Sequence, residues 1–110
     1  MIAKVMILKS AEYDLQELKK YMIRDFSREV WQERYNKLKD TLQNLQRFPH
    51  LDSVPAELEK LSFNQYRQVL SDMNRIIYEI RHNIIYIHMM VDTRRDMASL
   101  LQRRLLQRSI

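Results

Sequence analysis

The 110-residue chain has no cysteine and no glycine, only two prolines and a single tryptophan. Without cysteine there can be no disulfide, no thiolate nucleophile and no zinc ribbon. Without glycine, any site whose backbone must crowd a phosphate is excluded, including the P-loop and the G-x-G-x-x-G dinucleotide turn. Long hydrophobic runs are missing too. Val5 to Leu8 and Ile84 to Ile87 fall far short of the roughly 18 to 20 residues that span a bilayer. Lys9 closes the first run below the roughly 7 to 15 residues of a signal-peptide core, so a cytoplasmic protein with no membrane partner is expected. The three histidines, His50, His82 and His88, show neither H-x-x-x-H nor H-E-x-x-H spacing. No metal site and no cofactor are expected from them, and His82 is placed in a turn.

What the chain does have is enough length for one core, so residues 1–110 are expected to form a single domain. Residues 2 to 8 have the branched, apolar character of a short strand. Ser10 is a candidate N-cap for a helix carrying Ala11, Leu15, Leu18, Met22 and Phe26 at steps of three and four. Ser27 caps a second helix, in which Trp31, Tyr35, Leu38, Leu42 and Leu45 repeat that spacing up to Phe48-Pro49. So short a connection favours an antiparallel helical hairpin. Residues 49 to 63 hold both prolines and form a loop, with room for one helical turn at Ala56 to Leu61.

From residue 64 the period shortens to about two. Gln65 to Leu70, Arg75 to Ile80 and Ile84 to Val91 are three strands that the short intervening turns force to be antiparallel neighbours. Asn and Asp serve the turns because they tolerate positive φ. Thr93 and Asp96 open a last amphipathic helix bearing Met97, Leu100, Leu101 and Leu105. The expected fold is therefore α+β: an N-terminal strand and helical hairpin packed on a small antiparallel sheet, then a C-terminal helix, with the helices on one face.

The formal net charge is +5, and it is unevenly placed. Residues 1 to 63 carry seven Lys, four Arg and ten acids, while residues 64 to 110 carry eight Arg, no Lys and four acids. Arginine suits bidentate contact with phosphate or carboxylate, whereas lysine is a hydrated point charge. A solvated surface would give the same count. Alternation along Ile84 to Val91 makes Ile85, Ile87, Met89 and Val91 one apolar face and leaves Ile84, Tyr86, His88 and Met90 on a mixed one. Arg67 and Arg75 are expected together on the mixed face, with Arg94 and Arg95 at its margin and Arg103 and Arg104 on the last helix. These six arginines are the candidates for contact with a target or with nucleic acid.

Tyr66-Arg67-Gln68-Val69-Leu70, Asn74 to Ile80 with its Tyr-Glu-Ile ending, and Ile87 to Asp96 with Arg94-Arg95-Asp96 resemble the C-terminal half of the RelE/ParE superfamily of bacterial type II toxins. The strand, helical hairpin and Leu45-to-Pro49 segment are similar to its N-terminal half. The resemblance implies a growth-inhibiting toxin neutralised by a cognate antitoxin in a hetero-oligomer, with either of two targets. RelE-like members cut messenger RNA on the ribosome without a metal; ParE-like members poison DNA gyrase. Matched by motif, the RelE-like basic positions fall on Arg67, Val69, Arg75 and Arg95, and the C-terminal tyrosine on or near Leu101. An RNase would then rest on Arg67, Arg75 and Arg95, with Tyr86 and His88 as candidate proton carriers, since arginine is a poor one. The lost base and tyrosine favour the ParE-like alternative, although Asp92 stands where that pattern often has histidine. A non-toxic nucleic-acid-binding module is the remaining alternative.

Overall fold

The computed structural model describes residues 3–50, 54, 56–60, 65–93 and 96–106. Its elements run β1 (Lys4–Ile7), α1 (Lys9–Asp25), α2 (Arg28–Arg47), a one-turn α3 (Ala56–Glu59), β2 (Tyr66–Ser71), β3 (Asn74–Arg81), β4 (Ile84–Asp92) and α4 (Met97–Leu106). The α+β order expected from the sequence is the one observed.

Local chemistry accounts for most boundaries. Ser27 Oγ accepts from the Val30 N–H at 3.1 Å and starts α2, a cap worth about 1 kcal/mol. The helix ends at Arg47, with Phe48 and Pro49 following. The hairpin turns hold Asp72 at φ 54°, His82 at φ 50° and Asn83 at φ 62°, which places a turn-tolerant residue wherever glycine would otherwise be needed. Arg34 and Lys37 of α2 lie 3.6 and 3.2 Å from the Asp72 carboxylate and tie the first of these turns to the helices. At the end of α1, a hydrogen bond from Arg24 holds the exposed Asp25 carboxyl below its usual range.

Ser10 behaves differently from its sequence expectation. Helix α1 already begins at Lys9 without a side-chain cap, and the Ser10 hydroxyl instead donates to the His88 carbonyl on β4 at 3.0 Å. Asp96, rather than Thr93, caps α4: its carboxylate accepts from the Ser99 N–H at 3.4 Å and from the Ser99 hydroxyl at 3.0 Å.

The sheet has the order β1-β4-β3-β2 and is mixed, where a wholly antiparallel one was expected. Strands β2, β3 and β4 form the antiparallel meander, but β1 pairs in parallel with β4 from Lys4↔Ile84 to Ile7↔Ile87. The long connection from β1 through both helices permits the parallel pairing that tight turns forbid.

One irregularity reorganises the packing. Tyr78 pairs with Ile87 and Ile77 with Met89, so His88 is an extra residue in β4. This bulge breaks the period-two pattern. Ile85 and Ile87 join Ile76, Tyr78 and Met90 in a core beneath the helical hairpin, against Ala11, Leu38 and Leu45. Met89 and Val91 turn to the opposite face, where they cluster with Tyr66, Ile77 and Leu100 of α4. The expected apolar set is therefore divided, and Met90 exchanges faces with Met89 and Val91. Helix α4 consequently lies on the other side of the sheet from the hairpin, making three layers where two were expected. Burying a side chain such as Ile76, Ile85 or Ile87, each fully enclosed, contributes about 1.5 to 3 kcal/mol.

Candidate functional site

The face of the sheet opposite the hairpin carries the chemistry-bearing side chains. Register fixes their placement: Tyr66 opposes Glu79, Glu79 opposes Tyr86, and Arg75 opposes Leu70 and Val91. The bulge adds His88 beside them. His88 Nε2 lies 2.7 Å from Glu79 Oε1, an imidazole–carboxylate hydrogen bond in which His88 is 2% exposed and the Glu79 side chain 10%. Arg81 donates to the same oxygen at 3.0 Å while its guanidinium lies 4.8 Å from the centre of the Tyr86 ring. Tyr66 meets the His88 ring edge-on at 5.1 Å. Arg81, half exposed, is the outward end of the chain Tyr66–His88–Glu79–Arg81–Tyr86.

The candidate residues are not gathered into one basic surface. Arg67 pairs with Tyr78 and lies on the hairpin face, whereas Arg75 lies on the opposite one, so the expected shared surface is corrected. Alternation along each strand does not by itself say which residues of β2 and β3 face the same way; the pairing register does. Arg67 donates to the His50 carbonyl at 3.4 Å, next to the Tyr78 hydroxyl, which donates to the Pro49 carbonyl at 3.1 Å. Both contacts hold the chain leaving α2. Arg104 reaches across to α1, donating to both Asp14 oxygens at 3.0 and 3.1 Å and to the His88 carbonyl at 3.1 Å. Arg103 is exposed on α4, and Arg94 and Arg95 lie outside the described residues.

The sequence had marked His88 and Tyr86, but not the partners that define their surroundings. Glu79 was visible only as an acid within the apolar run Ile76 to Ile80, a position where a charge needs a partner. The role of Asp14 is not legible locally, because its link to Arg104 crosses 90 residues. Chemically, a buried imidazole whose Nε2 is committed to a carboxylate is suited to fixing the bulge. The exposed functional groups of this face are guanidinium and phenol, suited to binding. Among the described residues, no group of three His, Asp or Glu side chains could hold a metal ion.

Helical hairpin, four-stranded mixed sheet and covering C-terminal helix together define a small three-layer α+β fold. It superimposes with a TM-score of 0.69 on a solved structure described as "Chromosomal ParDE TA system from P. aeruginosa", at 12% identity, covering 83% of this chain and 96% of that one. Residues 5–97 match the family described as ParE toxin of type II toxin-antitoxin system, parDE, and the chain belongs to that family. No curated protein matches it significantly.

Proposed function

We propose that the chain is the growth-inhibiting member of a two-protein module, kept silent by a cognate antitoxin in a hetero-oligomer, and that it acts by poisoning DNA gyrase. Family membership supports the toxin–antitoxin part of this reading. The choice of target rests on the dispersal of the RNase candidates. Cleavage by 2'-hydroxyl attack needs a proton carrier beside charge-stabilising groups. Here Arg67 and Arg75 occupy opposite faces, and His88 is buried against Glu79. Such an arrangement favours binding over phosphodiester chemistry. No helix among the described residues is long and apolar enough to cross a membrane, and both candidate targets belong to the cytoplasm, the compartment we assign.

The deciding experiment is induction of the chain alone and together with the protein encoded beside it. Growth arrest that the neighbour relieves, accompanied by DNA breaks, SOS induction and filamentation, is expected. Continued growth without the neighbour overturns the toxin reading. Arrest with messenger RNA cut inside codons and intact DNA overturns the gyrase reading in favour of the ribosome-dependent one.

A further inference from the structure

Strand β2 ends the sheet, and among the described residues no strand pairs with its outer edge. Which of its main-chain groups face that edge follows from the ladder. The Thr93 N–H donates to the Met73 carbonyl, so Asn74↔Asp92 is a non-hydrogen-bonded pair and the main chain of Asn74 turns toward β2. Alternation from the Ser71↔Asn74 pair then gives Ser71, Val69 and Arg67 the bonds to β3. The N–H and C=O groups of Gln68 and Leu70 point the other way, to the open edge.

Proteins usually blunt such an edge with lysine, proline or a bulge. Strand β2 has none of these: it reads Tyr-Arg-Gln-Val-Leu-Ser and pairs with β3 without a register shift. Its one charged side chain, Arg67, is directed to the His50 carbonyl. Leu70 is 58% exposed, and Met73 in the adjoining turn 46%. Gln68 adds an independent observation, because its Oε1 is buried without a hydrogen-bond partner. A buried amide oxygen left unpaired, beside two outward-facing main-chain positions, marks a place where the chain lacks partners of its own.

The geometry points to the β2 edge as the contact between two copies of this chain, paired as antiparallel strands about a two-fold axis at Val69. Each Gln68 then exchanges main-chain hydrogen bonds with Leu70 of the second copy, which uses every outward group of both residues. Val69 meets Val69 across the axis, a β-branched pair suited to the close, non-hydrogen-bonded position. Arg67 opposes Ser71, so no charge meets its like. The two Gln68 side chains become diagonal neighbours, within reach of one another, and the amide of one can donate to the oxygen of the other. A second copy fits better than an unrelated segment because the edge is complementary to itself in hydrogen bonding, side-chain character and charge. The two sheets join into one, and the opposite edge, at β1, stays uncovered, so the pairing depends neither on the target nor on the antitoxin proposed above. One short strand edge is a small interface, and a weak dimer that dissociates in the micromolar range is expected.

The test is sedimentation equilibrium of the purified chain over a roughly hundred-fold range of concentration that ends in the high micromolar. The mass is expected to rise from one chain toward two, and amide exchange at Gln68 and Leu70 to slow as it does. Leu70→Lys puts a charge on the edge at an exposed position, and Leu70→Pro removes an N–H that β3 does not use. Both variants should remain single chains throughout. Leu70→Lys should also keep the wild-type melting temperature at the lowest concentration, which separates lost pairing from lost folding. Met6→Lys, on the strand at the other edge of the sheet, should dimerise as the wild type does. A wild-type chain that stays single to the top of the range overturns the proposal. So does a dimer that survives Leu70→Lys, or one that Met6→Lys abolishes, and none of these results bears on the toxin reading.

Discussion

Glu79 and His88 form the ionisable pair whose removal should be felt most. The buried Glu79 carboxylate is hydrogen-bonded to His88 and accepts from Arg81, so deleting it strips both of that partner, a loss of about 1 to 3 kcal/mol for buried polar groups. Glu79→Ala is expected to destabilise the fold by that amount in urea unfolding monitored by circular dichroism. Arg81→Ala removes the second donor to the same oxygen, but from a side chain 51% exposed, and should cost about 1 kcal/mol or less. Equal losses for the two variants would show that Arg81, and not His88, is the partner that matters. From the sequence, His88 could be placed on the mixed face, where it is. That Glu79 would meet it could not be derived from alternation, because the bulge supplies the extra residue that brings the imidazole alongside.

Helix α4 shows how an element can be legible while its location is not. Its amphipathic stripe is plain in the sequence, and either packing on the sheet or docking a partner would satisfy such a stripe. In the structure Leu100, 5% exposed, sits with Tyr66, Ile77, Met89 and Val91. Truncating a buried leucine leaves a cavity, so Leu100→Ala is expected to lower stability by about 2 to 4 kcal/mol. A thermal or denaturant midpoint equal to wild type would mean that α4 contributes nothing to the fold. The helical hairpin is the opposite case. Spacing of three and four, the Ser27 cap and Pro49 define α2 completely, because helix boundaries depend on neighbours within a turn or two. The two serines that looked alike separate for the same reason. Ser27 acts on a residue three positions away, whereas Ser10 finds its acceptor on β4, 78 positions away.

At the scale of the whole molecule, β3 and β4 contribute to both hydrophobic clusters, so neither face can lose its packing without disturbing the other. One cooperative unfolding transition is expected, with fluorescence of the single Trp31, stacked on Tyr35 in the helical hairpin, coinciding with far-ultraviolet circular dichroism. Separate midpoints for the two signals would divide the chain into independent units. The sequence by itself determined the order of elements, the hairpin turns without glycine, the absence of thiol and glycine-loop chemistry, and the resemblance that family membership bears out. These depend on residue identity and on short-range spacing. Tertiary structure alone decided that β1 runs parallel to β4, that α4 lies opposite the hairpin, that Arg67 and Arg75 face apart, and that Arg104 closes on Asp14. Each of those outcomes turns on pairing register or on contacts across tens of residues. A single inserted position at His88 is enough to exchange the faces of every residue beyond it, and no local pattern in the sequence records where that insertion falls.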